Sequence, residues 1–318
     1  MRILVTGSAG FIGSTVTEAL LARGDQVTGI DNFDPLYDPA VKRSNLAQIV
    51  ACPHFTLFEG DVRDADVVAR AIGHCEPDAI IHLAALAGVR SSVERPREYA
   101  SVNVDGTLCL LEAARAFGVQ RFVFGSSSSA YGAAAQVPFS ENEPVGRPLS
   151  PYAASKIAAE AFCYTYHHLY GIRMAVLRFF TVYGPRQRPD MAIHKFIRLM
   201  LAGQPVPVNG DGTMRRDYTY VDDIVAGILA ALDAELTYEV INLGGSTSVP
   251  LSDLIATIAS VVGCKPKIQY LPQQSGEVPE TCANIAKARQ LLGWTPRVSL
   301  TEGIQREVEW LREGPLAS

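Results

Sequence analysis

The chain has 318 residues, of which 48% are hydrophobic and 19% are charged. This composition excludes an intrinsically disordered protein and predicts one large domain or two smaller ones. The formal net charge of −5 argues against nucleic acid as a partner. Six scattered cysteines form neither a C-x-x-C pair nor a metal-ligand spacing, so we expect a cytoplasmic protein without a metal or disulfide framework. Since the sequence shows no apolar run of about 18 residues and no signal-peptide pattern, no membrane segment is predicted.

Short apolar runs alternate with longer amphipathic stretches through the first half of the chain. The apolar runs predict strands at residues 3–5, 26–30, 54–59, 79–82, 121–124 and 174–178. The amphipathic stretches predict helices at residues 14–22, 65–72, 99–117 and 152–170. This alternation indicates an α/β fold built on a Rossmann-like, doubly wound parallel sheet.

The pattern changes after about residue 180, where prolines become frequent and Gly210-Asp211-Gly212 signals a turn. We therefore predict a dinucleotide-binding domain over residues 1–180 and a smaller α/β substrate-binding domain over residues 181–318. A helix is predicted at residues 221–232 and a strand at residues 239–243. We expect parts of about residues 216–243 to pack back onto the first domain.

A glycine-rich turn follows the first predicted strand. Gly7, Gly10 and Gly13 are spaced three residues apart between a strand and a helix, where glycines let a pyrophosphate approach the helix N-terminus. The second strand leads into Asp31, whose carboxylate suits ribose hydroxyls and repels a 2′-phosphate. These residues favour NAD as the cofactor and oppose an NADP-dependent reductase. The alternative for the glycines is an ordinary strand–helix turn.

The predicted helix at residues 152–170 carries Tyr152 and Lys156, which are four residues apart and share one face. An ammonium close to a phenol favours the phenolate, so we expect a lowered pKa for Tyr152. Upstream, serines occupy residues 126–129, at the carboxyl end of a predicted central strand, where this fold places its ligand. Taken singly, the serines could form a polar loop, and the Tyr–Lys pair could lie on a helix surface.

These motifs resemble those of the NAD-dependent nucleotide-sugar epimerases, which belong to the extended short-chain dehydrogenase/reductases. The resemblance covers nearly the whole chain and rests on residues 6–13, 31–32, 82–85, 126–132, 152–156, 178–184 and 216–223. It implies that Tyr152 is the catalytic base, that Lys156 binds the nicotinamide ribose and that Ser127 is an assisting hydroxyl. The NAD contacts expected are Gly7, Gly10, Phe11, Ile12, Gly13, Asp31, Asn32, Lys42, Asp61, Val62, Leu83, Ala84, Ala85, Asn103, Tyr152 and Lys156.

Within this family the sequence is most similar to UDP-glucuronate 4-epimerases. Related dehydratases and decarboxylases carry an acidic residue just before the Tyr131-Gly132 pair, whereas residues 127–130 read Ser-Ser-Ser-Ala. This difference favours 4-epimerisation through a 4-keto intermediate, from UDP-glucuronate to UDP-galacturonate, without elimination. Thr181 and the run Pro-Arg-Gln-Arg-Pro-Asp-Met at residues 185–191 support glucuronate as the sugar. A 4-epimerase of UDP-glucose or UDP-N-acetylglucosamine is the alternative.

Hydroxyl and charged side chains are expected to bind the UDP-sugar, namely Arg90, Ser127, Ser128, Thr181, Arg188, Arg216 and Glu277. Hydroxyls at Ser128 and Thr181 could hold the sugar carboxylate away from the geometry in which a β-keto acid loses carbon dioxide. Guanidinium groups suit a carboxylate or diphosphate because they bind it through two parallel hydrogen bonds. By the resemblance, Glu277 accepts hydrogen bonds from the uridine ribose, although residues 273–275 depart from the family pattern.

The predicted helices at residues 99–117 and 152–170 carry more small and apolar residues than one buried face requires. The resemblance implies that these helices pair across a two-fold axis, so we expect a homodimer. Coverage by the second domain is the alternative. A non-catalytic NAD-sensing regulator on the same fold is disfavoured, because Ser127, Tyr152 and Lys156 are all present.

Overall fold

The computed structural model describes residues 1–133, 136–272 and 278–313. The strands of these residues are β1 (Arg2–Thr6), β2 (Gln26–Asp31), β3 (Phe55–Glu59), β4 (Ala79–His82), β5 (Arg121–Ser127), β6 (Arg173–Phe179), β7 (Thr181–Tyr183), β8 (Val206–Asn209), β9 (Arg215–Tyr220), β10 (Tyr238–Leu243), β11 (Ser248–Pro250) and β12 (Ile268–Leu271). The helices are α1 (Phe11–Ala22), α2 (Pro39–Leu46), α3 (Ala65–Cys75), α4 (Val89–Glu94), α5 (Pro96–Ala100), α6 (Gly106–Phe117), α7 (Pro151–Tyr170), α8 (Ala192–Leu201), α9 (Val221–Asp233), α10 (Leu251–Val262), α11 (Ala286–Leu292) and α12 (Leu300–Glu313).

Seven strands form the central sheet in the order β10-β6-β5-β4-β1-β2-β3. Each pair of neighbours runs parallel, and the order reverses direction between β1 and β4. The predicted doubly wound parallel sheet is therefore confirmed. A three-stranded sheet, β11-β9-β7, and a parallel pair, β12-β8, lie beyond it in the second half of the chain.

Two hydrophobic cores cover the two faces of the central sheet. Along β1 the side chains of Ile3 and Val5 enter one core, and Leu4 between them enters the other. All three are fully buried, as expected for a strand whose successive side chains point to opposite, covered faces. The larger core continues into α8, α10 and α12, so it joins the first half of the chain to the second.

The segment from α9 to β10 lies against the first half of the chain. The β10 strand pairs with β6, placing Ile241 opposite Leu177, and α9 contacts α1. Residues 221–243 thus supply one edge of the central sheet. No helix within the described ranges combines the length and apolar character needed to cross a membrane.

Several predicted boundaries are wrong. The helix predicted at residues 14–22 begins at Phe11, and the helix predicted at residues 65–72 ends at Cys75. The helix predicted at residues 99–117 begins at Pro96, which fits the first helical position, and a π-helical turn at Ser101–Asp105 interrupts it. The strand predicted at residues 121–124 continues to Ser127, because its last residues pair with β6 as far as Phe179. Ser126 and Ser127 therefore lie in the sheet, and a 3₁₀ turn begins at Ser128.

Candidate active site

A single cavity of about 1000 Å³ opens at the carboxyl edge of the parallel strands. It is lined by the following predicted site residues: Gly7, Gly10, Phe11, Ile12, Gly13, Asp31, Asn32, Lys42, Asp61, Val62, Leu83, Ala84, Ala85, Arg90, Ser127, Ser128, Tyr152, Lys156, Thr181, Arg188 and Arg216. Glu277 lies outside the described residues. The predicted cofactor and substrate residues thus face one continuous space, with the exception of Asn103.

The glycine turn after β1 packs too closely to admit side chains. Gly7 has φ of +71°, and a Cβ atom there would lie 2.8 Å from the backbone nitrogen of Ala84. A Cβ atom on Gly13 would lie 1.9 Å from the carbonyl oxygen of Gly7. Glycine at these two positions lets the first turn of α1 approach the ends of β1 and β4, so that the helix N-terminus borders the cavity.

Asp31, at the end of β2, fixes two loops beside the glycine turn. Its carboxylate accepts a hydrogen bond from the backbone N–H of Ala9 at 2.9 Å and another from that of Phe33 at 2.8 Å. Each carboxylate oxygen keeps acceptor capacity for a ligand hydroxyl. Nearby, Asn32 donates to Asp61 at 3.0 Å, and a hydrogen bond from Arg63 is the largest cause that lowers the pKa of Asp61.

His82, which ends β4, belongs to a buried hydrogen-bonded chain. Thr107 donates to the Asn103 carbonyl oxygen at 2.6 Å, so the Nε2–H of His82 donates to Thr107 at 3.0 Å. The Nδ1 atom then accepts from Thr6 at 2.7 Å, and Thr6 accepts from the Ala84 backbone N–H at 3.2 Å. Burial lowers the pKa of His82 to about 3. The neutral ring therefore positions Ala84, a residue of the cavity wall.

Asn103, an expected cofactor contact, is not among the residues that line the cavity. The π-helical turn directs its amide towards Leu86, with which it makes two backbone hydrogen bonds, at 2.8 and 3.0 Å. The same amide donates to Ser155 of α7 at 2.9 Å. Asn103 thus ties the cavity loop after β4 to the helix that carries Tyr152 and Lys156.

The start of α7 presents Tyr152 and Lys156 to the cavity. Ser150 caps the helix by accepting a hydrogen bond from the Ala153 backbone N–H at 3.1 Å. The Lys156 ammonium donates to the carbonyl oxygen of Gly125, on β5, at 2.8 Å. The Ser127 hydroxyl donates to that of Ser129 at 3.1 Å, and Ser127 lines the same cavity as Tyr152. Strand β5 and helix α7 therefore bring the three predicted catalytic residues together.

The expected lowering of the Tyr152 pKa by Lys156 is wrong for the protein without ligands. Burial raises the pKa of Tyr152 above its usual value, while the Ser127 hydroxyl and the positive charge of Arg188 act in the opposite direction. Burial lowers the pKa of Lys156 to about 8, and the charge of Glu160 acts against that lowering. The positive charge of a lysine one helical turn away does not by itself lower the phenol pKa as much as the loss of water around the phenolate raises it.

The substrate side of the cavity carries Thr181 on β7 and Arg188 in the following loop. Arg188 donates to the Ala87 carbonyl oxygen at 2.6 Å and forms an ion pair with Asp190, also at 2.6 Å. On β9, Arg216 donates to the backbone carbonyl oxygen of Arg215 at 2.8 Å. These contacts place guanidinium groups along one wall of the cavity.

Sequence reasoning missed Asp217, which organises this wall. It is fully buried, and its carboxylate accepts backbone N–H hydrogen bonds from Gly245, Ser246 and Ala283. Burial raises its pKa to about 6. The signal available in the sequence was an acidic residue next to the strand-forming run Tyr218-Thr219-Tyr220. Other cavity residues outside any predicted set are Tyr37, Asp190, Lys195, Asn209, Tyr218 and Thr281.

Comparison with known proteins assigns this architecture to a family. Residues 3–244 match the family described as NAD dependent epimerase/dehydratase, and the chain belongs to that family. The chain is 44% identical over 311 residues to a UDP-glucuronate 4-epimerase of Thermodesulfobacterium geofontis, covering 98% of this chain and 96% of the relative.

Two solved structures are similar along nearly their whole length. The UDP-glucuronic acid 4-epimerase of Bacillus cereus, in complex with UDP-glucuronic acid and NAD, has a TM-score of 0.92 and 37% identity, covering 98% of this chain and 99% of that one. The UDP-glucose 4-epimerase of Thermotoga maritima, with UDP-glucose, has the same TM-score and 35% identity, with the same coverage of both chains. The backbone is thus similar to that of enzymes with different sugars, so the side chains carry the argument about the substrate.

Proposed function

We propose that the protein is an NAD-dependent 4-epimerase that interconverts UDP-glucuronate and UDP-galacturonate. The observation that carries the proposal is the shared cavity, in which Ser127, Tyr152 and Lys156 face the same space as the glycine turn and Arg188. The Thermodesulfobacterium relative, named a UDP-glucuronate 4-epimerase, supports the choice of reaction.

The residues at one end of the cavity fit NAD. Gly7 and Gly13 allow the N-terminus of α1 to approach a pyrophosphate, and Asp31 keeps acceptor capacity for ribose hydroxyls. Asn32, Lys42 and the backbone near Asp61 lie farther along the same wall, where an adenine would be placed. When bound, NAD supplies a hydride acceptor that removes hydrogen from C4 of the sugar and later returns it to the opposite face.

The residues of the chain move the proton that accompanies this chemistry. Tyr152 accepts the proton of the sugar O4 hydroxyl as C4 is oxidised and returns it when C4 is reduced. Ser127, which lines the cavity with Tyr152, orients O4 and shares the developing charge. Lys156 orients the nicotinamide ribose and adds a positive charge next to the phenolate.

A glucuronate substrate places a particular demand on the sugar-binding wall, since oxidation at C4 gives a β-keto acid. The carboxylate must be kept near the plane of the ketone, because carbon dioxide leaves when the breaking bond is perpendicular to that plane. Ser128, on the turn after β5, and Thr181, on β7, both line the cavity and can donate hydrogen bonds to the carboxylate. Arg188 neutralises the carboxylate or the diphosphate.

The UDP half of the substrate lies against the second half of the chain. Arg216 contacts the diphosphate, and Arg90 on α4 is a second cation that lines the cavity. Asn209 and Thr281 line the same end of the cavity and suit a uridine, since both can donate and accept hydrogen bonds. Glu277 is proposed to accept from the uridine ribose.

Chromatography of nucleotide sugars tests the proposed reaction. Purified protein is incubated separately with UDP-glucuronate, UDP-glucose and UDP-N-acetylglucosamine, with and without added NAD. We expect UDP-galacturonate from the first and much slower conversion of the other two. Conversion of UDP-glucose at a higher rate would instead support the second candidate, a neutral-hexose epimerase, which the likeness to the Thermotoga enzyme favours.

We also propose that the protein is a cytoplasmic homodimer. Phe117 on α6 and Tyr164, Leu169 and Tyr170 on α7 are large hydrophobic side chains with about half of their surface exposed. Exposed apolar side chains on two neighbouring helices suit a helix-bundle interface. All six cysteines are free, which suits a reducing compartment. Light scattering at micromolar concentration should give twice the chain mass of 34.3 kDa, and a monomeric mass would contradict the dimer.

A further inference from the structure

A buried ion pair lies behind the proposed catalytic residues and has no part in the reaction described so far. Arg178 on β6 donates to Glu160 on α7 through Nε at 3.0 Å and through Nη2 at 2.6 Å. Their side chains are 4% and 7% exposed. The hydroxyl of Ser126, on β5, donates to the same carboxylate. Glu160 therefore connects the helix to two strands of the central sheet.

This carboxylate lies one helical turn beyond Lys156, on the same face of α7. Lys156 donates to the carbonyl oxygen of Gly125, and the next residue, Ser126, donates to Glu160. The two hydrogen bonds fasten adjacent turns of the helix to adjacent residues of one strand. Glu160 itself does not line the cavity, so it acts on the reaction through these neighbours.

Among the charged groups around Lys156, the Glu160 carboxylate is the one that balances the positive charge of the ammonium. His82 on β4 is neutral, and burial keeps Cys163 in its thiol form by raising its pKa. Arg178 is a second buried cation, stacked on the Tyr131 ring at 4.6 Å from its centroid. On the other elements that pack against α7, Glu112 and Arg115 on α6 pair with each other at the surface, as do Arg95 and Glu98 beside α5. Thus two buried cations share one buried carboxylate.

We propose that Glu160 is a positioning residue of the epimerase reaction, whose carboxylate holds α7 against β5 and β6 and supplies the buried counter-charge for the Lys156 ammonium. This inference rests on the proposed function for its link to catalysis. The Lys156 pKa supports this proposal, because the negative charge of Glu160 opposes the lowering of that pKa by burial.

A purely structural role predicts something different. Buried ion pairs often stabilise a fold no more than an uncharged pair of similar shape does. If the pair served the fold alone, removing both charges would leave the protonation of Lys156 unchanged. If Glu160 serves Lys156, removal of its charge lowers the pH at which the ammonium loses its proton, whatever happens to stability.

The test follows the titration of Lys156 by NMR, without substrate or cofactor. The sequence has six lysines, so their ε-carbon resonances are few, and Lys156→Arg identifies the one required. Glu160→Gln removes the charge with little change of shape. The matched control is Glu235→Gln, because Glu235 also bridges two arginines, Arg121 and Arg173, at the amino ends of the same two strands but at the surface.

We expect the Lys156 midpoint to fall in Glu160→Gln and to stay unchanged in Glu235→Gln. A nearby charge at an effective dielectric constant of about 20 interacts strongly enough to move a pKa by about one to two units. Should Glu160→Gln fail to fold, the double variant Glu160→Gln, Arg178→Gln removes both charges of the buried pair, and the Lys156 midpoint should still fall, by a smaller amount. An unchanged midpoint in either folded variant overturns the proposal.

Kinetics with UDP-glucuronate supply the link to the reaction. In Glu160→Gln, kcat should fall and its alkaline limb should move to lower pH, while KM changes little because Glu160 is outside the cavity. Normal kcat and an unshifted pH profile would refute the positioning role. If the wild-type protein converts none of the nucleotide sugars, the proposed function fails, and the NMR titration still decides whether Glu160 sets the charge of Lys156.

Discussion

Replacement of His82 by Gln tests whether the buried chain behind the cavity holds a neutral imidazole. The His82 ring connects Thr6 to Thr107, and Thr6 accepts the backbone N–H of Ala84. A glutamine amide can also donate and accept, so the variant keeps part of this hydrogen bonding. The variant removes the imidazole, which stays uncharged in the folded protein.

The effect follows from the difference in proton affinity between the two states. Burial lowers the folded pKa of His82 from 6.5 to about 3, so below pH 6.5 the unfolded chain binds a proton that the folded protein does not. Stability is therefore complete above pH 6.5 and declines as the pH falls. From pH 7 to pH 5 this linkage removes about 2 kcal/mol from the free energy of unfolding.

Urea unfolding at pH 7 and pH 5, at one fixed protein concentration, measures this loss. The wild type should lose about 2 kcal/mol more over this interval than His82→Gln does. His54→Gln is the control, because His54 is exposed, and it should lose as much as the wild type. His194 is also buried with a lowered pKa, so it contributes to the loss of stability in every variant. The test is therefore the difference in that loss between the wild type and His82→Gln. Equal losses in wild type and His82→Gln would refute the neutral buried ring.

Tyr152→Phe should keep its fold and NAD affinity but lose about 10²-fold or more in turnover of UDP-glucuronate, the usual range for loss of a general base; wild-type turnover would exclude Tyr152 as the base. Gly13→Ala places a Cβ 1.9 Å from a backbone oxygen and should cost about 2 kcal/mol of stability and weaken NAD binding, as measured by thermal unfolding and calorimetry. Gly146→Ala, where a Cβ meets nothing within 4 Å, is its control and should leave both unchanged. Ser128→Ala and Thr181→Ala should release more UDP-pentose from UDP-glucuronate than the wild type does, and equal release would contradict their role in holding the carboxylate.

The parts of the site that local sequence determines could be predicted. The role of Gly7 and Gly13 could be predicted from their spacing between a strand and a helix. The structure places both glycines where a side chain would collide with the backbone. Tyr152 and Lys156 share a face because a helix repeats every 3.6 residues. The serine cap at Ser150 is equally local. Each of these features depends on residues close in sequence.

The parts that depend on distant neighbours could not be predicted. Asn103 belongs to a π-helical turn, and its partners are 17 residues earlier and 52 residues later in the chain. Asp217 acquires its role from Gly245 and Ala283, which no local pattern connects to it. The strand at residues 239–243 and its packing against the first domain were predicted, but its pairing with β6 at the edge of the central sheet was not. Pairings at such separations are set by packing of the whole chain.

The Tyr152 pKa shows how local and distant effects combine at the reacting group. The spacing of Tyr152 and Lys156 correctly indicates proximity on one helix face, but the free energy of a buried phenolate depends on everything that surrounds it. In the protein without ligands, burial is the largest influence and keeps Tyr152 protonated. Arg188 and Ser127 oppose burial only in part. In the proposed reaction, the positive charge of the oxidised cofactor would act in the same direction as Arg188 and favour the Tyr152 phenolate.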